Sequence, residues 1–266
     1  MHGCDQQSVK VLLLLRPMTT VFNLDAQGLT IVLSVALLLG MAKTGVHGAG
    51  MLSVPLLAIA FGGRSSSGLM LPMLLVADIF GVWYYHRHAS FQHLKVLFPW
   101  AALGIIAGSI AGNIISEEVF KVIMAVTIFG SLIAMIWMET GGREKIPNNI
   151  YLGRAAGFLG GFTSMIGNLA GTVMAVYLLS MRLPKNIFIG TAAWFFLVIN
   201  WFKVPFHVWV WHTINVDSWL MALTLTPVIL LGAYLGVFLV KKMSDRSYRW
   251  FIIIMTFAAA IIMLLR

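Results

Sequence analysis

The chain has 266 residues, of which 60% are hydrophobic and 10% charged, and its formal net charge is +9. This composition excludes a soluble globular domain, in which about a quarter of the residues are charged. The basic residues are scattered among short connections and form no run, which argues against nucleic acid as a partner. The single cysteine, Cys4, permits neither an internal disulfide nor a cysteine metal cluster. We therefore predict an integral membrane protein that contacts the lipid bilayer and needs no cofactor.

Residues 1–27 are interpreted as an N-terminal extension. Their apolar core, VLLLL, is short and no small-residue cleavage site follows it, so we do not predict a signal peptide. Both Met1 and Met18 remain candidates for the start of translation. The first membrane segment is expected to carry the insertion signal itself.

Apolar runs follow the extension, and they predict an all-α, polytopic membrane protein. The strands of a membrane barrel would alternate apolar and polar residues, whereas these runs are apolar nearly all round. The predicted helices lie near residues 28–42, 50–61, 67–85, 94–113, 118–138, 150–165, 169–181, 187–205, 218–240 and 248–265.

Two pairs among these helices, the first two and the sixth and seventh, are short and joined by glycine-bearing breaks. A helix of 12 to 16 residues rises only about 18 to 24 Å, less than the roughly 30 Å of a hydrocarbon layer. Each pair is predicted to be a re-entrant, broken helix that turns back to its own side. Three transmembrane helices follow each pair.

The two halves form an internal repeat. With shifts of 128 and 121 residues, the halves superpose Pro99 on Pro227, Gly104 on Gly232, Gly108 on Gly236, Gly40 on Gly161 and Gly50 on Gly171. We therefore predict a first membrane repeat over 28–138, a cytoplasmic linker over 139–149 and a second membrane repeat over 150–266.

The distribution of basic residues predicts the orientation of these repeats. If each short pair returns to its own side, eleven lysines and arginines face one side of the membrane and six face the other. The positive-inside rule assigns the richer side to the cytoplasm. Both termini are then periplasmic and the second repeat is inserted upside down, an inverted topology found in many secondary transporters. The expected location is the cell inner membrane, with several crossings.

The two glycine-bearing breaks predict an anion site. GVHGAG precedes the helix expected from Gly50, and IGNLAG precedes the helix expected near Gly171. A helix that begins inside a membrane presents unpaired N–H groups and the positive end of its dipole. The residues predicted to bind the substrate are Lys43, Thr44, His47, Gly48, Gly50, Ser164, Asn168, Gly171, Thr191 and Asn200. The alternative is that the glycines only allow close helix packing and the polar groups satisfy broken backbone.

Asp78 is an acid well inside a predicted span. Intramembrane acids relay protons or pair with a base, so Asp78 and His47 are candidate proton carriers and Lys43 is a candidate partner of Asp78. A purely structural ion pair is the alternative. Lys203 is expected to extend to the outer membrane boundary.

Three histidines, His86, His88 and His93, suggest an alternative function as a metal-dependent intramembrane enzyme. They lie in a short connection, and the preferred interpretation is an interfacial basic loop with no metal. The chain lacks the GxxxxGK[ST], HExxH, GxSxG and CxxC motifs, so we predict neither an enzyme nor an ATP-driven pump. A membrane assembly subunit that transports nothing is a third alternative.

The segments GVHGAGMLSVPLL, MIGNLAGTVMAVYLL, GIIAGSIAG and LGAYLG together resemble the TauE/SafE family of sulfite and organosulfonate exporters. The resemblance covers roughly residues 28–265. It implies a secondary transporter that exports a small sulfur-containing anion by alternating access, whereas the residues alone indicate only a small anion. Proton coupling is expected from the candidate carriers Asp78 and His47. The exact substrate, the direction, the coupling ion and the oligomeric state stay open, with a homodimer as one arrangement.

Overall fold

The structure, a computed structural model, describes residues 25–61, 63–146 and 149–264, and this part of the chain is helical without a strand. Its helices are α1 (Ala26–Lys43), α2 (His47–Phe61), α3 (Gly63–Tyr85), α4 (Phe91–Ile114), α5 (Glu117–Glu139), α6 (Ile150–Gly167), α7 (Ala170–Ser180), α8 (Lys185–Pro205), α9 (Val216–Thr224), α10 (Thr226–Lys241) and α11 (Asp245–Leu264). The all-α prediction is confirmed. Nearly all of the predicted N-terminal extension, including Cys4, lies outside the described residues.

The first glycine-bearing break is shorter than predicted, because α2 begins at His47 and not at Gly50. The chain reverses within Thr44–Val46. Gly45 takes a φ of +119°, a conformation that glycine adopts without steric cost. The Val46 N–H donates to the carbonyl of Met41 at 3.0 Å, and helical bonding then resumes at once.

The predicted helix over 218–240 is also different, since α9 and α10 meet at Leu225 with a bend of 51°. Pro227 lies in the first turn of α10, where its missing N–H costs no hydrogen bond. Its repeat equivalent, Pro99, lies inside the unbroken helix α4. The two halves therefore differ at this point.

Five described helices are long and apolar enough to cross a membrane, or six if the bent pair α9 and α10 counts as one span. Large apolar side chains on their outer faces are exposed, among them Ile114, Val126 and Ile133. So much apolar surface would be unfavourable in water and is suited to lipid. The chain is therefore a multi-pass membrane protein.

The lengths of the short helices support the re-entrant prediction only in part. Helix α7 has 11 residues and rises about 16 Å, too little to cross. Helix α1 has 18 residues, and its length and hydropathy suffice for a crossing. Re-entry of both pairs stays a prediction.

Contacts between the two halves are reciprocal. Helix α1 packs on α10, and its repeat equivalent α6 packs on α4. A Cβ atom on Gly40 would overlap the carbonyl of Ile229, and one on Gly161 would overlap that of Ala101. Ala101 and Ile229 are themselves equivalent in the repeat, so each half makes the same contact with the other. A two-fold axis between the halves would produce this pattern, and the opposite insertion of the two halves stays a prediction.

The later glycines of each half pack in the same reciprocal way. A Cβ on Gly104 would overlap the carbonyl of Phe158, and one on Gly232 would overlap the carbonyl of Leu37. These glycines therefore let the backbones of the two halves approach closely. The close backbone approach fixes α1 and α6 against the opposite half, and α3 and α8 pack against each other.

Candidate functional site

A small cavity of about 40 Å³ lies where the two breaks meet. It is lined by Leu39, Ala42, Lys43, Gly50, Met70, Leu74, Ser164, Asn168, Leu169, Ala170, Gly171, Thr172, Phe196 and Asn200. Residues of the first turns of α2 and α7 thus line the same cavity. A buried water molecule needs about 10–15 Å³ of cavity volume, so the cavity can hold a few water molecules or a small ion.

A buried ion pair borders the cavity. The Lys43 Nζ lies 2.7 Å from Asp78 Oδ1, and the side chains are 9% and 0% exposed. Asn200 Nδ2 donates to Asp78 Oδ2 at 2.6 Å. The Lys43 ammonium also lies 4.0 Å from the ring centroid of Phe196, a cation–π contact. The structure therefore places Lys43 against Asp78, the partner that the sequence suggested.

A second buried lysine, Lys203, holds the break between α6 and α7. Its Nζ donates to Asn168 Oδ1 at 2.6 Å and to the Ser164 carbonyl at 3.2 Å. Asn168 ends α6 in the left-handed conformation, with φ of 56°, which asparagine tolerates better than most residues. The Asn168 amide nitrogen donates to the carbonyl and hydroxyl oxygens of Ser67 on α3. The second break is thus fastened to both α3 and α8.

The expectation that Lys203 extends to the outer boundary is wrong, because its side chain is fully buried. The Ser164 carbonyl near the end of α6 and the Asn168 side chain give its amine acceptors inside the protein. A sequence signal was present: Phe196, Asn200 and Lys203 are spaced four and three residues apart, which places them on one helix face.

Two predicted binding residues lie outside the cavity wall. The Thr44 hydroxyl donates to the carbonyls of Gly40 and Ala233, at 3.0 and 2.9 Å, so it joins α1 to α10. The Thr191 hydroxyl accepts the N–H of Ser90 at 2.9 Å, at the end of α8 far from Asn200. Nine residues of helix separate them by about 13 Å. Both threonines stabilise packing in this structure.

Of the remaining predicted residues, Gly50, Ser164, Asn168, Gly171 and Asn200 all line the cavity. The surroundings of His47 and Gly48 are not among those that the structure describes. Their part in substrate binding, and that of His47 in proton transfer, stay predictions.

The three histidines of the alternative enzyme hypothesis are not assembled into a metal site. His86 Nδ1 lies 2.9 Å from the carbonyl of Trp83, and His93 Nδ1 lies 2.8 Å from the Tyr177 hydroxyl. Across the described ranges, no group of three or more His, Cys, Asp or Glu side chains could hold a metal ion.

The fold and the cavity together define a multi-pass membrane protein with buried charges beside a small cavity where its two broken helix pairs meet. The family model for the sulfite exporter TauE/SafE matches residues 32–263, so the chain belongs to this family. Searches of curated proteins and of solved structures found no match. The predicted family is thereby confirmed, and it is a family of transporters and not of enzymes.

Proposed function

We propose that the protein is a secondary transporter that exports a small sulfur-containing anion, sulfite or an organosulfonate, across the cell inner membrane. One observation carries the proposal: a lysine and the first turns of two helices line a single cavity deep among apolar spans. Ammonium groups and helix N-termini are both attractive to anions. Membership of the sulfite exporter family supports a sulfur-containing substrate.

Binding of a doubly charged anion requires a change of partner at Lys43. In the structure its ammonium is paired with Asp78. A proton on Asp78 would remove the carboxylate charge, weaken the pair and free the ammonium for the substrate. This exchange couples anion binding to protonation, and it assigns Asp78 the role of proton carrier.

Alternating access completes the proposed cycle. The Asn168 side chain connects the second break to α3 through Ser67 and to α8 through Lys203. A rotation of one half against the other would move both breaks and open the cavity to one side at a time. Inverted repeats and periplasmic termini belong to this proposal.

Ligand-dependent stabilisation of the detergent-purified protein tests the function. Sulfite, methanesulfonate, thiosulfate, sulfate and acetate are compared by thermal unfolding. A ligand that binds the folded state at 100 times its Kd stabilises it by about 2.7 kcal/mol. We expect sulfur oxyanions to raise the unfolding temperature and acetate to do so less. If no anion raises the unfolding temperature, the result favours the hypothesis of an assembly subunit that transports nothing.

Filling the cavity should block binding without harming the fold. A Cβ atom at Gly171 would meet nothing within 4 Å, and this glycine lines the cavity. We expect Gly171→Ala to retain its unfolding temperature and to lose at least tenfold in affinity, about 1.4 kcal/mol, as measured by calorimetric titration.

The matched control for this variant is Gly130→Ala, because Gly130 on α5 has equally open surroundings away from the cavity. It should bind sulfite and methanesulfonate like the parent protein. Equal affinities of the two variants would contradict the assignment of the cavity as the binding site.

The packing role of Thr191 gives a separate prediction. Thr191→Val removes the acceptor of the Ser90 N–H, and an unsatisfied group of this kind costs about 1–3 kcal/mol. We expect lower thermal stability and unchanged anion affinity. A loss of anion affinity in correctly folded Thr191→Val protein would show that Thr191 takes part in substrate binding.

A further inference from the structure

Lys203 differs from Lys43 in lacking an acidic partner. Its two hydrogen-bond acceptors are the Asn168 amide oxygen and the Ser164 carbonyl, both of them neutral. Within the described residues, no carboxylate lies in ion-pair contact with it. Its side chain is nevertheless fully buried. A protonated lysine at this position is strongly unfavourable unless an anion lies close to it.

Lys43 and Asp78 neutralise each other as an ion pair, so a protonated Lys203 would leave one positive charge over beside the cavity. Ser164 and Asn168, which accept the Lys203 hydrogen bonds, are themselves cavity residues. The surplus charge thus lies directly behind the cavity wall, where water screens it little.

We propose that Lys203 is protonated and that the site selects its substrate by total charge. It binds a singly charged anion while Asp78 is ionised, and takes up one proton on Asp78 for each doubly charged anion. The inference rests on the proposed anion site and adds Lys203 as its second cationic residue. A monoanion neutralises the surplus charge of Lys203. A dianion needs one more positive charge, which appears when a proton from water neutralises the Asp78 carboxylate.

Asp78 is the group that can supply this change, because its charged neighbours are the two lysines. Lys43 acts on it from α1 and Lys203 acts on it from α8. The next titratable group after Lys203 is His207, which lies in the π-helical turn Phe206–Val210 that follows α8. It is fully buried and contacts the Thr213 hydroxyl at 2.8 Å. Asn200 donates to Asp78 and carries no charge of its own.

Methanesulfonate and sulfate form a matched pair of probes. Both are tetrahedral sulfonyl compounds, and they differ in that a methyl group of one replaces a charged oxygen of the other. Each keeps its charge across the neutral pH range, whereas sulfite itself changes charge there. Calorimetric titration of the full chain, repeated in buffers with different ionisation enthalpies, counts the protons taken up with each anion.

For the unmodified protein we expect about one proton taken up with sulfate and none with methanesulfonate. By the same linkage, sulfate affinity should fall about tenfold for each unit by which the pH rises, and methanesulfonate affinity should not depend on pH. Asp78→Asn removes the carboxylate, so Lys43 and Lys203 together leave a surplus of two positive charges at every pH. It should bind sulfate without proton uptake and independently of pH.

Lys203→Met removes the surplus charge and makes the opposite prediction. Methanesulfonate binding should now take up about one proton, so its affinity should fall about tenfold for each unit by which the pH rises. Sulfate binding should be lost. Lys185→Met is the control on the same helix, because Lys185 binds the carbonyls of Val240 and Met243 at the end of α10. It should keep the proton counts of the parent protein. If Lys203→Met does not fold, the parent protein and Asp78→Asn still decide the matter.

The outcomes separate the two proposals. If the parent protein binds no sulfur oxyanion at any pH, the proposed function fails and the charge rule fails with it. Equal proton uptake with methanesulfonate and sulfate would overturn the charge rule alone. So would binding of methanesulfonate with no binding of sulfate at any pH, or unchanged proton counts in Lys203→Met.

Discussion

Lys43→Met is expected to destabilise the folded protein by about 3–5 kcal/mol, the usual cost of removing one partner from a buried ion pair. The Asp78 carboxylate is fully buried and 2.7 Å from the Lys43 ammonium, so the variant leaves it without its counter-charge. The same change should abolish binding of sulfate, because a single lysine leaves too little positive charge for a dianion. Thermal unfolding in detergent measures the first effect and calorimetric titration the second.

Stability and binding are separated by a double variant. In Lys43→Met/Asp78→Asn neither charge remains, and a neutral amide replaces the uncompensated carboxylate. We expect most of the lost stability to return, while sulfate binding stays absent. A double variant that binds sulfate would show that Lys43 is not a substrate ligand, and a fully stable single variant would show that the pair is not buried.

Gly161→Ala should have a comparably large effect on the fold. A Cβ atom there would overlap the carbonyl oxygen of Ala101, which is backbone and cannot rotate away. Overpacking costs about 1–3 kcal/mol and more when the obstacle is rigid, because α4 and α6 must separate. We expect a loss of at least this size in the unfolding free energy.

Gly130→Ala again serves as the control for this prediction. The substitution is the same, but no atom lies within 4 Å of the new Cβ. Since alanine is favoured over glycine inside a helix by about 0.5–1 kcal/mol, this variant should be slightly stabilised. Equal stability of the two variants would contradict the close helix crossing.

The sequence was sufficient to predict the helices, because a membrane span requires a long apolar run and nothing else in the chain has that form. Local backbone geometry was harder to predict. The turn at Gly45 lets α2 begin at His47, and the bend at Leu225 separates α9 from α10 although the equivalent Pro99 breaks nothing. Similar sequences in the two halves thus take different local paths.

The candidate site was predictable where chemistry left few choices. An acid and a lysine inside apolar spans have strong reason to pair, and Asp78 and Lys43 do so. The positions of Thr191 and Lys203 depended on how α8 is rotated and how far each residue lies from the cavity, and neither follows from apolar composition. Lys203 turned inward because the end of α6 offers it carbonyl and amide oxygens.

The crossing of α1 with α10 has a consequence for biosynthesis. Thr44 donates to the carbonyl of Ala233, 189 positions later in the chain. Ribosomes add about 5–20 residues per second, so α1 waits some 10 to 40 s for this neighbour. Asp78 emerges far sooner than Ala233, and Lys43 can therefore be neutralised while the glycine face of α1 is still uncovered. The early ion pair lets a charged helix remain in the bilayer until the last third of the protein has been made.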